Sequence, residues 1–301
     1  MGTIVPADAV DLSAGPLEAT FHPDLGMVGS SLRHRGRELL ALPHPLTAWR
    51  DSAKTTGLPL LAPWANRLSG RRYAVGATEV DLAGLELPTD PHGLPFHGTL
   101  GGGHAWEVVE EATTHISARF DYGASSTLLR PFPFRHLLTL TVRIEGRALV
   151  VTTTVEPTGD VAVPVSFGFH PYLRLPGGRH GTRLHLPDRR HLALDGRGLP
   201  TGAGADERAE AEVLGDRVFD DLYELGAARS LALSGDGLCV TARFDDGYPF
   251  AQVYAPPGSD FACLEPMTAP TNALVSGRFH LVPPGGSFAA RFSVVVTEGD
   301  D

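Results

Sequence analysis

Apolar and polar side chains alternate along most of this chain, and the spacing typical of an amphipathic helix is almost nowhere sustained. Alternation with a period of two places successive side chains on opposite faces of a β-strand, so each such run has one face to bury. The pattern therefore predicts a protein built mainly of strands. The runs that show it are Ile116 to Phe120, Leu138 to Ile144, Leu149 to Val155, Leu238 to Phe244 and Phe288 to Val296.

The connections between these runs indicate how the strands are joined. Glu145 and Gly146 separate two runs at the spacing of a two-residue hairpin turn, so those runs should pair antiparallel. The 35 glycines and 25 prolines favour an all-β fold, a large antiparallel β-sandwich with few short helices. Because such sandwiches often exceed 200 residues as one unit, we expect a single domain over residues 1–301, with the glycine-rich stretch Leu199 to Glu210 as a surface loop.

Composition narrows the range of partners. Lys+Arg 25 against Asp+Glu 35 gives a net charge of −10, and Lys54 is the sole lysine, so no basic face predicts binding to nucleic acid. No apolar run is long enough for a bilayer, and the opening residues do not resemble a signal peptide, so we expect a cytoplasmic protein without membrane contact. Cys239 and Cys263 lack metal-site spacing and are expected to be small core residues. The oligomeric state stays open.

Two titratable residues stand at predicted strand ends, each directly before a proline. His170 follows the apolar run Val163 to Phe169 and precedes Pro171, and Glu265 follows a second apolar run and precedes Pro266. Proline holds the preceding residue out of the helical region, which fixes each side chain at its strand end. The two make a plausible acid and base pair. The alternatives are a histidine that is hydrogen-bonded to a neighbouring carbonyl, and a glutamate that is paired with an arginine such as Arg67.

Two further stretches offer polar groups beside apolar runs. Asn66 and Arg67 follow a buried-looking run, where Arg67 could anchor a substrate or hold a loop through a carboxylate. In the strand-like stretch Arg217 to Leu225, period-two geometry places Asp220 and Asp221 on opposite faces. One of these aspartates could therefore bind ligand hydroxyl groups while the other is solvated.

The glycine-rich stretch Pro91 to Trp106 carries three histidines, which suggests a metal site. Their spacing fits no helix face, and the loop supplies no carboxylate or cysteine nearby, so we expect no metal there. A glycine-rich loop suits equally well the close approach of a polar ligand to the backbone. We place His97, with Gly98 and the aromatic Trp106, on a sugar or similar polyhydroxylated ligand. The other two histidines are His92 and His104.

Taken together and in order, these segments resemble the aldose 1-epimerase (galactose mutarotase) family over nearly the whole chain. The matching segments are ANRLSGRRY at Asn66 and Arg67, HG at His97, FGFHPYLRL at His170, FDDLY at Asp220 and LEPMTAPTNAL at Glu265. The resemblance implies a β-sandwich of the galactose mutarotase-like type. It also implies catalytic roles for His170, as acid toward the ring oxygen, and Glu265, as base toward the anomeric hydroxyl, with sugar binding by Arg67, His97, Asp220 and Asn66.

The resemblance leaves several choices open. His92 offers a second HG and Asp221 a second aspartate; His97 is chosen because Trp106 follows it at a spacing closer to that of the family, and Asp220 because Tyr223 then fills the aromatic position. The implied reaction opens and closes a hemiacetal and needs no cofactor. A noncatalytic sugar-binding or sugar-sensing module, a glycoside hydrolase and a hexose-6-phosphate 1-epimerase are the alternatives.

The identity of the sugar is a separate question, because the stretch before His97 is shorter than in the galactose-specific members. We expect a preference for free aldohexoses. A phosphorylated sugar would need clustered cations over its far end. By sequence, the candidates for such a cluster are Arg71, Arg72, Arg33 and Arg35.

Overall fold

The computed structural model describes residues 9–299, so the first eight residues, on which the expectation about a leader segment partly depends, lie outside it. It confirms an all-β protein with few short helices. The strands are β1 Val10–Ala14, β2 Leu17–His22, β3 Val28–His34, β4 Arg37–Glu38, β5 Leu60–Leu61, β6 Arg72–Val75, β7 Thr78–Asp81, β8 Glu107–Ala112, β9 His115–Asp121, β10 His136–Glu145, β11 Ala148–Pro157, β12 Val163–Val165, β13 Gly168–Phe169, β14 Tyr172–Leu173, β15 Arg183–Leu186, β16 Arg189–Leu194, β17 Pro200–Glu207, β18 Glu210–Val213, β19 Phe219–Leu225, β20 Ser230–Gly235, β21 Leu238–Asp246, β22 Phe250–Ala255, β23 Ala262–Met267, β24 His280–Val282 and β25 Phe288–Glu298.

Helical segments are short and connect strands. The α-helices are α1 Leu46–Ser52, α2 Ser126–Leu129 and α3 Ala273–Ser276, and 3₁₀ turns cover Pro23–Leu25, Tyr122–Ala124 and Arg179–Gly181. Within residues 9–299, no helix has both the length and the apolar character that crossing a membrane requires.

Two large antiparallel sheets face each other. One runs β18-β15-β20-β21-β25-β11-β10-β9-β8, and the other runs β17-β16-β19-β22-β23-β13-β5, with β14 also pairing with β23. Smaller sheets are formed by β1 to β4, by β12 with β24, and by β6 with β7. The alternating residues predicted to be buried fill the space between the large sheets. For example, the rings of Phe169 in β13 and Phe292 in β25 lie 4.9 Å apart, and both are buried.

The hairpin prediction is confirmed with a shift of one residue. β10 and β11 pair antiparallel from His136 opposite Pro157 to Glu145 opposite Ala148, so the two-residue turn is Gly146 with Arg147. Gly146 has a φ of +63°, which a residue without a Cβ adopts at low cost.

The prediction of a surface loop at Leu199 to Glu210 is wrong. Most of this stretch is strand β17, which pairs with β16 at the edge of the eight-stranded sheet. An edge strand whose side chains are mostly exposed has no apolar face to alternate with a polar one, so its sequence lacks the period-two pattern. Backbone pairing with β16 holds this strand, and backbone pairing is not visible in composition.

Candidate active site

The eight-stranded sheet has polar residues on the face that points away from the main core. Asp220 of β19 lies opposite Tyr254 of β22, which in turn lies opposite Cys263 of β23. One pair further along, Gln252 lies opposite Glu265. Residues directly opposite each other in antiparallel strands share a face of the sheet, so these five side chains form one polar patch. The residues between them in β22 and β23, Val253 and Leu264, belong to the main core.

A cleft of about 630 Å³ opens over this patch. Loops from the first hundred residues form its walls, including the segment after α1, where Ala53 ends the helix with a φ of +53° and is followed by Lys54 and Thr55. All the site residues predicted from the sequence line this one cleft. They are Asn66, Arg67, His97, His170, Asp220 and Glu265.

His170 and Glu265 meet at the floor of the cleft. The His170 Nε2 atom lies 3.3 Å from Glu265 Oε1, and the side chains are 7% and 2% exposed. The His170 backbone N–H donates to the carbonyl of Pro59, and the imidazole stacks on Tyr172 with ring centroids 4.4 Å apart. The prediction of a strand end is confirmed for His170, which directly follows β13. It is wrong for Glu265, which lies inside β23 because the strand continues through Pro266 to Met267.

Burial sets the protonation of this pair. It lowers the pKa of His170 to about 3. It raises the pKa of Glu265 well above the ordinary 4.5; the charge of Asp220 raises it further, and Arg67 opposes the shift. Both shifts favour a protonated carboxyl beside a neutral imidazole over a carboxylate beside an imidazolium. For His170, desolvation is the main cause and favours the neutral imidazole.

Arg67 is held by a carboxylate and also lines the cleft, so both roles considered for it coexist. Its Nε donates to Asp90 Oδ2 at 2.9 Å, its Nη1 donates to Asn66 Oδ1 at 3.0 Å, and its Nη2 lies 3.5 Å from Asp220 Oδ2. The guanidinium also lies over the Phe96 ring, 5.0 Å from its centroid. Its carboxylate partners are thus the two aspartates, and within residues 9–299 it forms no ion pair with the glutamate of the floor.

Asp90 is a residue that the sequence interpretation missed. Its side chain is 0% exposed. Burial alone would raise its pKa, but hydrogen bonds from the backbone of Leu94 and from Arg67 lower it. The other carboxylate oxygen accepts the N–H groups of His92 and Leu94, each at 2.9 Å. Asp90 therefore ties the arginine to the loop that carries His97.

A tight backbone crossing fixes His97. Its N–H donates to the carbonyl of Asn66, and the Asn66 N–H donates back to His97 Nδ1 at 3.3 Å. Both residues have a positive φ, near +60°. A Cβ on Gly98 would lie 2.1 Å from the carbonyl oxygen of Ala62, so only glycine fits after this histidine. Burial lowers the pKa of His97 well below 6.5. Because Nδ1 accepts a hydrogen bond, the neutral ring carries its proton on Nε2.

Other sequence candidates lie elsewhere. His92 is exposed and does not line the cleft. The expected partnership of Trp106 with a ligand is wrong, because this tryptophan is buried against Phe120 at 5.6 Å between ring centroids. Asp221 points to the opposite face from its neighbour, where it lies 3.2 Å from His191 Nε2, and burial raises its pKa. The structure thus brings one of each ambiguous pair, His97 and Asp220, into the cleft.

Gln252 and Tyr254 also line the cleft and were not predicted. The Gln252 amide donates to Asp220 Oδ1 at 2.6 Å. A single amide inside the apolar strand Phe250–Ala255 was the available signal, because a buried polar side chain needs a partner. Tyr172 is a third such residue, and its hydroxyl lies 2.6 Å from that of Thr55.

Potential metal ligands also converge on the floor of the cleft. Over the described part of the chain, one group of potential ligands converges, namely His170, Cys263 and Glu265, whose ligand atoms all lie within 4.8 Å of one another. The three histidines of the glycine-rich loop do not form such a group in residues 9–299.

Comparison with known proteins identifies the family and the fold of the chain. A model of the family described as aldose 1-epimerase matches residues 28–294. Solved structures with this fold include a galactose mutarotase-like protein from Clostridium acetobutylicum, with 18% identity, coverage of 99% of this chain and 98% of that chain, and a TM-score of 0.86. An aldose epimerase homologue from C. elegans shares 15% identity, with coverage of 97% and 99% and a TM-score of 0.80. Galactose 1-epimerase from Lactobacillus acidophilus NCFM shares 13% identity, with coverage of 96% and 93% and a TM-score of 0.76. No curated protein matches the chain.

Proposed function

Since the chain belongs to the aldose 1-epimerase family, we propose that it interconverts the α and β anomers of an aldohexose by acid–base catalysed opening and closure of the sugar ring. The observation that carries this proposal is the contact of 3.3 Å between His170 Nε2 and Glu265 Oε1 at the floor of the cleft. Anomer exchange requires the removal of one proton and the delivery of another on neighbouring oxygens, and this pair can do both.

The pair exchanges two protons with the sugar in each direction. Glu265, as carboxylate, takes the proton of the anomeric hydroxyl while protonated His170 gives a proton to the ring oxygen, and the ring opens to the aldehyde. Rotation about the first carbon–carbon bond then presents the other carbonyl face, and the same groups in reverse close the ring. Each transfer contributes about 10²–10⁴-fold.

The uncharged resting pair fits this cycle. It already contains the one proton that the working pair needs, on the carboxyl rather than on the imidazole. Moving that proton from Glu265 to His170 creates the required base and acid without changing the net charge of the buried site.

Sugar binding is assigned to Asn66, Arg67, His97 and Asp220. Arg67 offers guanidinium donors, His97 offers its Nε2 proton, and Asp220 accepts hydrogen bonds, so together they match hydroxyl groups that both donate and accept. Gln252 is added to this set because it fixes the carboxylate of Asp220.

The charge of the cleft supports a free rather than a phosphorylated sugar. The four arginines considered for a phosphate, at positions 33, 35, 71 and 72, do not line the cleft. Two basic residues line the cleft, Arg67 and Lys54. Arg67 is paired with two aspartates, and Lys54 lies at the exposed rim. Recognition of a dianion usually relies on clustered cations. Faster anomer exchange on glucose 6-phosphate than on both glucose and galactose would overturn this part of the proposal.

Polarimetry on a freshly dissolved single anomer tests the function directly. An epimerase accelerates the change in optical rotation above the spontaneous rate, a hydrolase releases reducing ends from a glycoside, and a sugar-sensing module does neither. His92→Asn is a matched control, because it removes an exposed histidine of the same loop region that does not line the cleft.

A further inference from the structure

Cys263 lies beside the proposed acid and base but has no part in the reaction. It shares the face of β23 with Glu265, two residues away, and it lies opposite Tyr172, which follows His170 by two residues. The ligand atoms of the three side chains lie within 4.8 Å of one another, and His170 Nε2 lies 3.3 Å from Glu265 Oε1. All three residues are buried.

Two of these side chains lack partners. Oε2 of Glu265 is buried without a hydrogen bond from any residue between 9 and 299. A buried polar atom of this kind calls for an explanation, such as a ligand. Cys263 is free and 0% exposed. The imidazole of His170 presents Nε2 to the same carboxyl group at 3.3 Å, so three groups that can each donate an electron pair lie side by side.

An imidazole, a thiolate and a carboxylate are the ligand types that zinc takes in proteins. With Zn–S near 2.3 Å and Zn–N or Zn–O near 2.0–2.1 Å, tetrahedral ligand atoms lie about 3.4–3.6 Å apart. The His170–Glu265 separation of 3.3 Å is close to this range, and the thiol of Cys263 lies within 4.8 Å of both partners. His170 and Glu265 line the cleft, so the fourth position of the metal can face it.

We propose that His170, Cys263 and Glu265 form a site for a soft divalent transition metal such as Zn²⁺, and that the bound metal switches the enzyme off. The charges balance, because a divalent ion, one thiolate and one carboxylate sum to zero in a buried site. On binding, the thiol and carboxyl protons pass to solvent. The metal uses the lone pair of His170 and a carboxylate oxygen of Glu265, so neither can transfer a proton to the sugar. Inhibition, but not metal binding, rests on the proposed function.

Ligand type predicts which ions bind. Zn²⁺ and Co²⁺ accept nitrogen and sulfur ligands, whereas Mg²⁺ and Ca²⁺ prefer oxygen ligands only and should not inhibit. Excess sugar should protect the enzyme, because the sugar and the metal compete for the same two side chains.

Cobalt absorption tests the site without any measurement of turnover. The chain has two cysteines, so in Cys239→Ser the thiol of Cys263 is the sole one left. Co²⁺ should give this variant a cobalt–thiolate charge-transfer band that saturates at one ion per chain, and Cys263→Ser should lack the band. In polarimetry, Cys263→Ser should need at least about ten-fold more Zn²⁺ for half inhibition, while Cys239→Ser should behave as the wild type.

The outcomes separate the two proposals. A cobalt–thiolate band in a protein whose metal-free form has no mutarotase activity would support the metal site and refute the proposed function. Mutarotase activity without a thiolate band in Cys239→Ser would refute the metal site alone, as would equal zinc inhibition of the wild type and Cys263→Ser. If circular dichroism shows that Cys263→Ser does not fold, the cobalt spectrum of Cys239→Ser still tests the metal site. Adding Glu265→Gln to Cys239→Ser should weaken Co²⁺ binding by about ten-fold or more.

Discussion

Replacing Glu265 by glutamine should lower the turnover rate and, above pH 4.5, raise the free energy of unfolding. The change is nearly isosteric, and the residue is 1% exposed, so the core loses no volume. Glutamine cannot take a proton from the anomeric hydroxyl. We expect kcat to fall by about 10²-fold or more while the sugar-binding groups stay in place.

The stability effect follows from the raised pKa of Glu265. Its unfolded-state value is near 4.5 and its folded-state value is higher because of burial. Between these two values the folded protein binds a proton that the unfolded chain has lost, so its stability falls by about 1.4 kcal/mol for each pH unit as the pH rises. Glutamine does not titrate. Relative to wild type, Glu265→Gln should therefore become more stable from pH 4.5 upward, until the folded-state pKa is reached.

Two measurements test this pair of effects. Polarimetry on a single anomer gives kcat, and urea unfolding at several pH values gives the free energy of unfolding. Glu224→Gln is the matched control, because it removes a carboxylate that is on the same sheet, 42% exposed and paired with Arg278, so both measurements should change little. Near-normal mutarotation by folded Glu265→Gln would end the assignment of the base. A stability difference that stays constant with pH would refute the argument from burial.

The double mutant tests whether acid and base act in one step. His170→Asn alone should also lower kcat by about 10²-fold or more. Combined with Glu265→Gln, the loss should be much smaller than the product of the two single losses, because either group alone has little left to assist. Multiplicative losses would indicate that the two residues act in independent steps.

Three further predictions concern the surroundings of the pair. The pH–rate profile should show no step at 6.5, because burial moves the pKa of His170 out of that range. Instead, kcat should fall as the pH rises through the raised pKa of the pair. A step at 6.5 would mean a solvated histidine. Asp220→Asn should raise KM more than it lowers kcat. Asp90→Asn breaks a buried ion pair, so it should also lower the free energy of unfolding by about 3 kcal/mol, measured by urea unfolding. Activity should survive exhaustive chelation by EDTA, and loss with recovery on zinc would show that the metal is a cofactor.

The sequence predicted those features that depend on local pattern. Strands with one buried face follow from alternation, and β9, β10, β11, β21 and β25 were placed for that reason. The resemblance to a family named six of the residues that line the cleft, but not Gln252, Tyr254 or Tyr172. In contrast, β17 was missed because an edge strand with exposed side chains leaves no periodic signal.

Asp90 and the protonation of the floor were missed for a different physical reason. Asp90 meets Arg67 across 23 positions of sequence, through a turn whose geometry depends on the surrounding loops. The pKa of His170 depends on how completely the folded chain removes water from it. Attraction between opposite charges can be read from composition, whereas the cost of desolvation requires the packed structure.

The arrangement of charges around the cleft explains why the proposed base can stay weakly acidic. If Arg67 paired directly with Glu265, its positive charge would hold the carboxyl ionised and make it a poor proton acceptor. Instead, Asp90 and Asp220 both contact the guanidinium, and Asp220 raises the pKa of Glu265 while Arg67 lowers it, so the two charges oppose each other. The proposed catalytic pair therefore keeps one proton in a buried environment. In the proposed cycle, ring opening and ring closure use the same two groups with the roles of acid and base exchanged. A strong fixed charge paired with one of them would ease one proton transfer and oppose the reverse transfer.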